Sequence, residues 1–103
     1  MIQLPFGPEY EFNINEIINQ IDENKNIDGF GYVNETKPNF ENPKTLKPPT
    51  ALGIAALLRY YGIETEGKKI VIIGKGALVG APLAEILTNY PYNGTVTTCD
   101  IFT

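Results

Sequence analysis

The feature of this chain that most suggests a chemical role is the spacing of three glycines directly after a short apolar segment. Residues 70–73 read IVII, and Gly74, Gly76 and Gly80 follow, one residue longer than the G-x-G-x-x-G pattern of dinucleotide-binding turns. In such turns the first glycine permits a tight turn, the second lets the backbone approach a phosphate, and the third lets helix and strand pack closely. The spacing predicts a phosphate-binding loop; a glycine turn without a ligand is the alternative.

Two charged residues near this loop predict opposite cofactor preferences. Asp100 lies 20 residues after Gly80, where dinucleotide-binding domains place an acid that hydrogen-bonds the ribose hydroxyls of NAD. Lys75 lies inside the loop, and its ammonium group could pair with the 2′-phosphate of NADP. Each side chain could also simply be solvated. The residues alone therefore leave the choice between NAD and NADP open.

The segments around the glycine loop predict one β-α-β unit. Residues 70–73 and 95–99 are the expected strands, and residues 81–90 are the expected helix, with Pro82 in its first turn. We predict an α/β fold: a Rossmann-like βαβ unit with parallel strands and flanking helices. Because two parallel strands do not form a sheet that is buried on both faces, either the chain is cut from a larger domain or its edges pair with a partner.

Two further helices and a long loop are expected outside this unit. Residues 13–21 are amphipathic, with Asn13 as N-cap and Glu16 three positions later. Residues 33–49 contain four of the eight prolines and predict an irregular ordered loop or a domain linker.

The helix expected over residues 51–61 has clear start and stop signals. Thr50 is the predicted N-cap, and Gly62 is the predicted stop after the last turn. Its apolar face is predicted to comprise Ile54, Leu57, Leu58 and Tyr61.

Composition excludes several classes of function. The 103 residues suit one small domain, and a net charge of −4 without a basic cluster argues against nucleic-acid or membrane partners. No apolar run approaches the roughly 20 residues of a membrane span, and the N-terminus does not resemble a signal peptide. The single cysteine, Cys99, suits a reducing cytoplasm. The lack of histidine excludes a histidine base, and no metal site is expected.

Several short stretches together resemble the bifunctional methylenetetrahydrofolate dehydrogenase/cyclohydrolase family. That family carries V-Q-L-P, D-V-D-G-F, P-C-T-P-x-G, G-R-S-x-x-V-G-x-P and T-V-T-x-C-H in this order. The corresponding stretches here, in the same order, are IQLP, NIDGFG, PPTALGI, GIETEGKKIVIIGKGALVGAP and TVTTCD. The resemblance spans essentially the whole chain and corresponds to the middle of the family's sequence.

The resemblance implies an enzyme with two α/β domains, folate in the cleft between them and a dinucleotide on the second. Residues 1–49 would be the end of the folate-binding catalytic domain with a proline-rich loop. Residues 50–103 would be a connecting helix and the first half of the NAD(P)-binding domain. The implied activity is oxidation of 5,10-methylenetetrahydrofolate with NADP or NAD, followed by hydrolysis of the methenyl product. A cytoplasmic homodimer acting on a tetrahydrofolate derivative is expected.

Individual site residues follow from the same resemblance. Gln3 matches an active-site glutamine, and Asp28 matches the aspartate that anchors the pterin ring, where a carboxylate can accept two hydrogen bonds. Alternatively, Gln3 is an edge residue at a strand end and Asp28 a turn residue. The implied substrate-binding set is Gln3, Leu4, Pro5, Asp28 and Gly29. The implied cofactor-binding set is Gly74, Lys75, Gly76, Val79, Gly80, Pro82 and Asp100.

Departures from the family pattern limit what is expected of the chain alone. Lys75 and Gly76 replace an arginine and a serine, and Asp100 replaces a histidine. The family's catalytic lysine belongs to a Y-x-x-x-K helix that should precede Gln3, and no tyrosine here is followed by lysine at the fourth position. We therefore expect the chain alone to be inactive in both steps. The alternative is a non-catalytic dinucleotide-binding or dimerisation module derived from that family.

Overall fold

The chain divides into two compact units, Met1–Lys47 and Pro48–Thr103. The structure, a computed structural model, describes residues 2–3, 7, 13–22, 25–29 and 47–103. Helix α1 (Ile14–Asn19) belongs to the first unit. Helix α2 (Pro49–Tyr60), strand β1 (Lys69–Ile73), helix α3 (Gly80–Thr88) and strand β2 (Thr95–Cys99) form the second. Most of the predicted proline-rich loop lies outside the described residues.

Helix α1 begins at the cap that the sequence predicts. The side-chain oxygen of Asn13 accepts a hydrogen bond from the Glu16 N–H at 3.3 Å, which satisfies one of the unpaired amides at the helix start. Ile18 is buried in this unit. The helix is shorter than predicted, because Gln20 already serves as its C-cap. Asp28 lies in a turn, and Gly29 follows it in the left-handed region at φ +66°.

The start of α2 differs from the prediction. Pro48, not Thr50, occupies the N-cap position, and no side chain caps the helix. A proline disfavours helical geometry in the residue before it. Because Pro49 follows Pro48, Pro48 stays extended at ψ 126°. Pro49 itself suits the first helical position, since its ring fixes φ and its missing N–H would have had no partner there. Thr50 therefore lies inside the first turn.

The buried face of α2 is also displaced from the predicted one. Ala51 and Ala55 are fully buried, whereas Leu57 and Tyr61, both expected on the apolar face, are 56% and 71% exposed. The small alanines lie one helical turn apart, and α2 packs against α3. Small side chains allow two helices to approach closely. The prediction chose the large apolar residues as the buried face, but the alanines are the residues that are buried.

The end of α2 confirms the predicted stop. Tyr61 is the C-cap and Gly62 follows in the left-handed region at φ +67°. The Gly62 N–H donates to the Arg59 carbonyl at 3.0 Å, and the Ile63 N–H donates to the Leu58 carbonyl at 2.9 Å. These two bonds are those of a Schellman motif, which satisfies carbonyls that the helix leaves without partners.

The two strands are parallel, and α3 connects them. Their register runs from Lys69 opposite Thr95 to Ile73 opposite Cys99. Helix α3 packs on both strands and on α2, and its buried side chains are Leu83, Ile86 and Leu87. The predicted α/β class with a parallel βαβ unit is confirmed.

One face of the strand pair is exposed. Val71 and Ile73 are 62% and 90% exposed, while the alternate residues Ile70 and Ile72 are half-buried. Alternation follows from the period of two along a strand, with one face covered by α3. In the part of the chain that the structure describes, the sheet has two strands, so each strand has one edge that no neighbouring strand pairs with.

Gly53 inside α2 and Gly62 just after its end give opposite predictions for the same substitution. Gly53→Ala should stabilise the chain by about 0.5–1 kcal/mol, since Gly53 lies in the helix interior and alanine is the better helix former. Gly62→Ala should destabilise it by about 1–2 kcal/mol, because alanine at φ +67° is strained. An added Cβ meets nothing within 4 Å at either site, so backbone conformation alone separates them. Urea denaturation measures both; equal shifts of the midpoint would contradict the assigned end of α2.

Candidate functional site

The glycine loop joins the end of β1 directly to the start of α3. Gly74 turns the chain at φ +112°, and its N–H donates to the Cys99 carbonyl of β2 at 2.8 Å. A Cβ at Gly80 would collide with the carbonyl oxygen of Gly74 and lie 3.0 Å from the Cα of Lys75. The tight turn expected of Gly74 and the close packing expected of Gly80 are therefore present.

The start of α3 leaves few backbone donors for a ligand. Val79 is the N-cap residue without a side-chain hydrogen bond, the Ala81 N–H donates to the Gly76 carbonyl at 3.0 Å, and Pro82 has no N–H. Of the first three helical residues, only Gly80 carries an N–H that has no partner among the described residues. Around Gly76 an added Cβ would meet nothing within 4 Å, so the loop is open there.

The two charged residues with opposite predicted preferences form an ion pair with each other. The ammonium nitrogen of Lys75 lies 2.6 Å from Oδ2 of Asp100. The Lys75 side chain is 57% exposed and the Asp100 side chain 21% exposed. A pair this open to water adds little to stability, so its main effect is on the local charge. Spacing along the chain does not reveal this contact, so Lys75 and Asp100 were expected to act separately.

The second oxygen of Asp100 is held by its own loop. Oδ1 accepts hydrogen bonds from the Phe102 N–H at 2.9 Å and from the Thr103 hydroxyl at 3.3 Å. The Thr103 hydroxyl oxygen in turn accepts from the Asp100 N–H at 3.0 Å. The pKa of Asp100 is lowered mainly by Lys75 and further by the Phe102 N–H and Thr103. Desolvation raises this pKa and cancels only part of the effect.

Phe102 and Thr103 are contributors that the sequence analysis missed. An aspartate that bonds the N–H two residues later is a recognised turn, so the order Asp100-x-Phe102 could have suggested the first contact. The hydroxyl of Thr103 three residues after Asp100 gave a weaker signal, because such contacts depend on how the loop folds.

The residues expected on the folate side belong to the first unit. Gln3 is exposed, and Asp28 and Gly29 are half-buried in their turn. Leu4 and Pro5 lie outside the described residues. The roles of these five residues in substrate binding stay predictions.

A polar cavity of about 410 Å³ lies at the opposite end of the strands from the glycine loop. Its lining comes from segments that precede β1 and β2, and it includes none of the predicted site residues. The cavity-lining residues are Arg59, Ile63, Glu64, Thr65, Glu66, Pro91 and Tyr92.

Neither a metal site nor a membrane span is found in the part of the chain that the structure describes. Over residues 2–3, 7, 13–22, 25–29 and 47–103, no group of three or more histidine, cysteine, aspartate or glutamate side chains could hold a metal ion. Over the same residues, no helix is long and apolar enough to cross a membrane.

The arrangement around the loop defines a class of protein. A strand, a glycine turn, a helix and a parallel strand that ends in a carboxylate form the first half of a dinucleotide-binding α/β domain. The residues around the loop fit a bound dinucleotide. Gly80 allows the close strand–helix contact, Gly76 leaves the loop open, and Asp100 lies at the carboxyl end of β2.

Comparison with known proteins identifies the family. The family model for the NAD(P)-binding domain of tetrahydrofolate dehydrogenase/cyclohydrolase matches residues 48–103. The bifunctional protein FolD of Borreliella burgdorferi (strain ZS7) is 37% identical over 99 residues, which cover 96% of this chain and 32% of that protein. The chain therefore belongs to the tetrahydrofolate dehydrogenase/cyclohydrolase family, and the part matched by the family model is its NAD(P)-binding domain.

Solved structures agree with this family. The crystal structure of the bifunctional FolD enzyme from Campylobacter jejuni is similar with a TM-score of 0.82 at 37% identity, covering 98% of this chain and 34% of that one. The Trypanosoma brucei enzyme, solved with NADP cofactor and an inhibitor, has a TM-score of 0.79 at 31% identity, covering 95% and 32%. The chain spans about a third of the length of the curated relatives it matches.

Gly80 should be far less tolerant of a side chain than Gly76. Gly80→Ala should destabilise the chain by about 1–3 kcal/mol, because the added Cβ collides with backbone atoms that cannot rotate away. Gly76→Ala should be neutral or stabilising by at most about 1 kcal/mol, since nothing lies within 4 Å and φ is not positive. Thermal or urea unfolding compares the two variants. A tolerated Gly80→Ala would refute the close strand–helix contact.

The Asp100 carboxyl group should make stability depend on acidity. Its pKa in the folded chain lies below the ordinary value of 3.8, so the stabilisation is fully present above that value and is lost as pH falls through the folded pKa. Asp100→Asn should therefore be less stable than the wild type at neutral pH, and the difference should vanish in strong acid. Urea midpoints over a pH series measure this; a difference that is independent of pH would contradict the ion pair.

Proposed function

We propose that Pro48–Thr103 binds the dinucleotide of a folate-dependent one-carbon enzyme through the loop between β1 and α3. The observation that carries this proposal is the close contact of Gly80 with the Gly74 carbonyl at the carboxyl end of a parallel strand. This contact brings the start of α3 to the position where such domains bind a pyrophosphate. The family match for residues 48–103 supports the same assignment.

In this proposal each loop residue has a separate role. The open backbone at Gly76 admits the pyrophosphate, and the Gly80 N–H, together with the positive end of the α3 dipole, stabilises its charge. Gly74, Val79 and Pro82 set the shape of the loop. Asp100, which follows β2, is the residue positioned to hydrogen-bond the adenosine ribose.

The proposed reaction belongs to the complete enzyme. The bound dinucleotide supplies a hydride acceptor for 5,10-methylenetetrahydrofolate, and hydrolysis of the methenyl product follows. In the proposal, the folate is held by residues of the first unit: Gln3, Leu4, Pro5, Asp28 and Gly29. Asp28 accepts hydrogen bonds from the pterin ring, and Gln3 assists the lysine that transfers protons. Within these 103 residues no Y-x-x-x-K lysine occurs. General acid–base catalysis typically contributes about 10²–10⁴-fold, so the chain alone should catalyse neither step.

An alternative function is a non-catalytic module that binds a dinucleotide or dimerises. The exposed Val71 and Ile73, two positions apart on β1, favour it, because apolar side chains exposed together on one face of a strand often mark a contact surface. We propose a cytoplasmic homodimer in either case, since the charge and composition suit that compartment and the family is expected to dimerise.

Isothermal titration of the purified chain with NAD⁺ and NADP⁺ tests the proposal. We expect heat of binding with at least one of them and no reduction of either when 5,10-methylenetetrahydrofolate is added. Gly76→Ala should weaken binding at least tenfold by placing a methyl group where the phosphate approaches. Gly53→Ala is the matched control, because it adds the same methyl group in open space on α2.

Two results would contradict the proposal. A folded chain that gives no heat with either dinucleotide does not bind the cofactor, and a dimer mass by light scattering in that sample would favour the assembly module. Reduction of the dinucleotide by 5,10-methylenetetrahydrofolate in the presence of the chain alone would instead show that a Y-x-x-x-K lysine is not required.

A further inference from the structure

We propose that the ion pair between Lys75 and Asp100 makes this chain select NAD over NADP. The inference rests on the proposed binding of a dinucleotide at the glycine loop and adds which dinucleotide that loop accepts. The two cofactors differ only in a phosphate on the 2′-oxygen of the adenosine ribose. Selection therefore depends on the charges that meet this oxygen at the carboxyl end of β2.

The Asp100 carboxylate retains the capacity to bind a ribose hydroxyl. A carboxylate offers about four acceptor positions on its two oxygens. Oδ1 accepts from the Phe102 N–H and the Thr103 hydroxyl, and Oδ2 accepts from Lys75. One position on Oδ2 is then left for a hydroxyl donor. The carboxylate is charged at neutral pH, since its ordinary pKa is 3.8 and Lys75 lowers it further, so it can accept that bond.

A 2′-phosphate would meet this same carboxylate as a second anion. A phosphate monoester carries about two negative charges at neutral pH, and like charges in contact repel strongly. To pair with the phosphate, Lys75 would have to leave Asp100, from which its nitrogen is 2.6 Å away, or share its three N–H donors between the two anions. In either case one positive charge would face the carboxylate and the phosphate together.

Asp100 cannot easily move aside, and the second unit offers no other cation at this edge. Turning the carboxylate away would break its bonds to Phe102 and Thr103. From residue 70 to residue 103, Lys75 is the only lysine or arginine in the sequence. Lys68 and Lys69 come at the amino end of β1, which is about 13 Å from its carboxyl end for a strand of this length. Within Pro48–Thr103, a 2′-phosphate thus has no cation at this edge except one already paired.

Competing titrations of the chain with NAD⁺ and NADP⁺ test the preference. We expect NAD⁺ to bind at least tenfold more tightly. Asp100→Asn removes the negative charge but keeps an oxygen acceptor of the same shape, and it releases Lys75. This variant should bind NADP⁺ at least tenfold more tightly than the wild type does, while its affinity for NAD⁺ changes only a few-fold. Glu66→Gln, the same change of acid to amide at the amino end of β1, should leave both affinities unchanged.

The opposite role for Lys75 gives a different pattern. If Lys75 binds the 2′-phosphate, then Lys75→Gln should selectively weaken NADP⁺, with Lys68→Gln as the control. In our proposal Lys75→Gln leaves NADP⁺ the weaker ligand and raises the pKa of Asp100, which carbon-detected NMR of the carboxyl group follows without any cofactor. Circular dichroism checks that each variant folds.

The outcomes separate this inference from the proposed function. No binding of either dinucleotide by a folded wild-type chain overturns both. Binding of NADP⁺ as tightly as NAD⁺, or more tightly, overturns the preference and leaves the dinucleotide site intact. An Asp100→Asn variant whose preference is unchanged also overturns it, since the carboxylate would then have no part in selection.

Discussion

The contact between Gly74 and Gly80 is the constraint on which the second unit depends. The carbonyl oxygen of Gly74 occupies the space where any side chain at position 80 would begin. Helix α3 can therefore start directly against the end of β1, and it packs on both strands and on α2 from there. The φ of +112° at Gly74 is the second half of the same constraint, because it lets the chain leave the strand and turn at once.

The same constraint places charge at one edge of the sheet. In the parallel register Ile73 lies opposite Cys99, so the residues that follow them leave the strands side by side. The bond from the Gly74 N–H to the Cys99 carbonyl continues that pairing by one residue. Lys75 and Asp100, far apart in sequence, are then neighbours at 2.6 Å. The carboxyl ends of parallel strands are where α/β proteins bind their ligands, and here that edge carries a neutralised pair.

Local patterns predicted much of the fold, and their failures have a common cause. The sequence correctly predicted the N-cap at Asn13, the helix stop at Gly62 and both strands. Each of these features depends on nearby residues: a capping side chain, a glycine in the left-handed region, or a run of β-branched residues. The N-cap predicted at Thr50 was wrong, since the consecutive prolines Pro48 and Pro49 dictated the start of α2 more strongly than a hydroxyl could. The buried face of α2 was displaced because packing against α3 favoured small residues over large ones.

The amino-acid sequence is sufficient to assign the class of this protein: a βαβ unit with a glycine loop, in the order and spacing of one family. This is possible because strand, turn and helix signals are local and because the family motifs are short and contiguous. The interaction between Lys75 and Asp100, in contrast, follows from the three-dimensional fold. Their separation in sequence says nothing about their distance in space, and the parallel register brings them together. A lysine and an aspartate that predict opposite cofactors separately become, once paired, a single group with one charge balance.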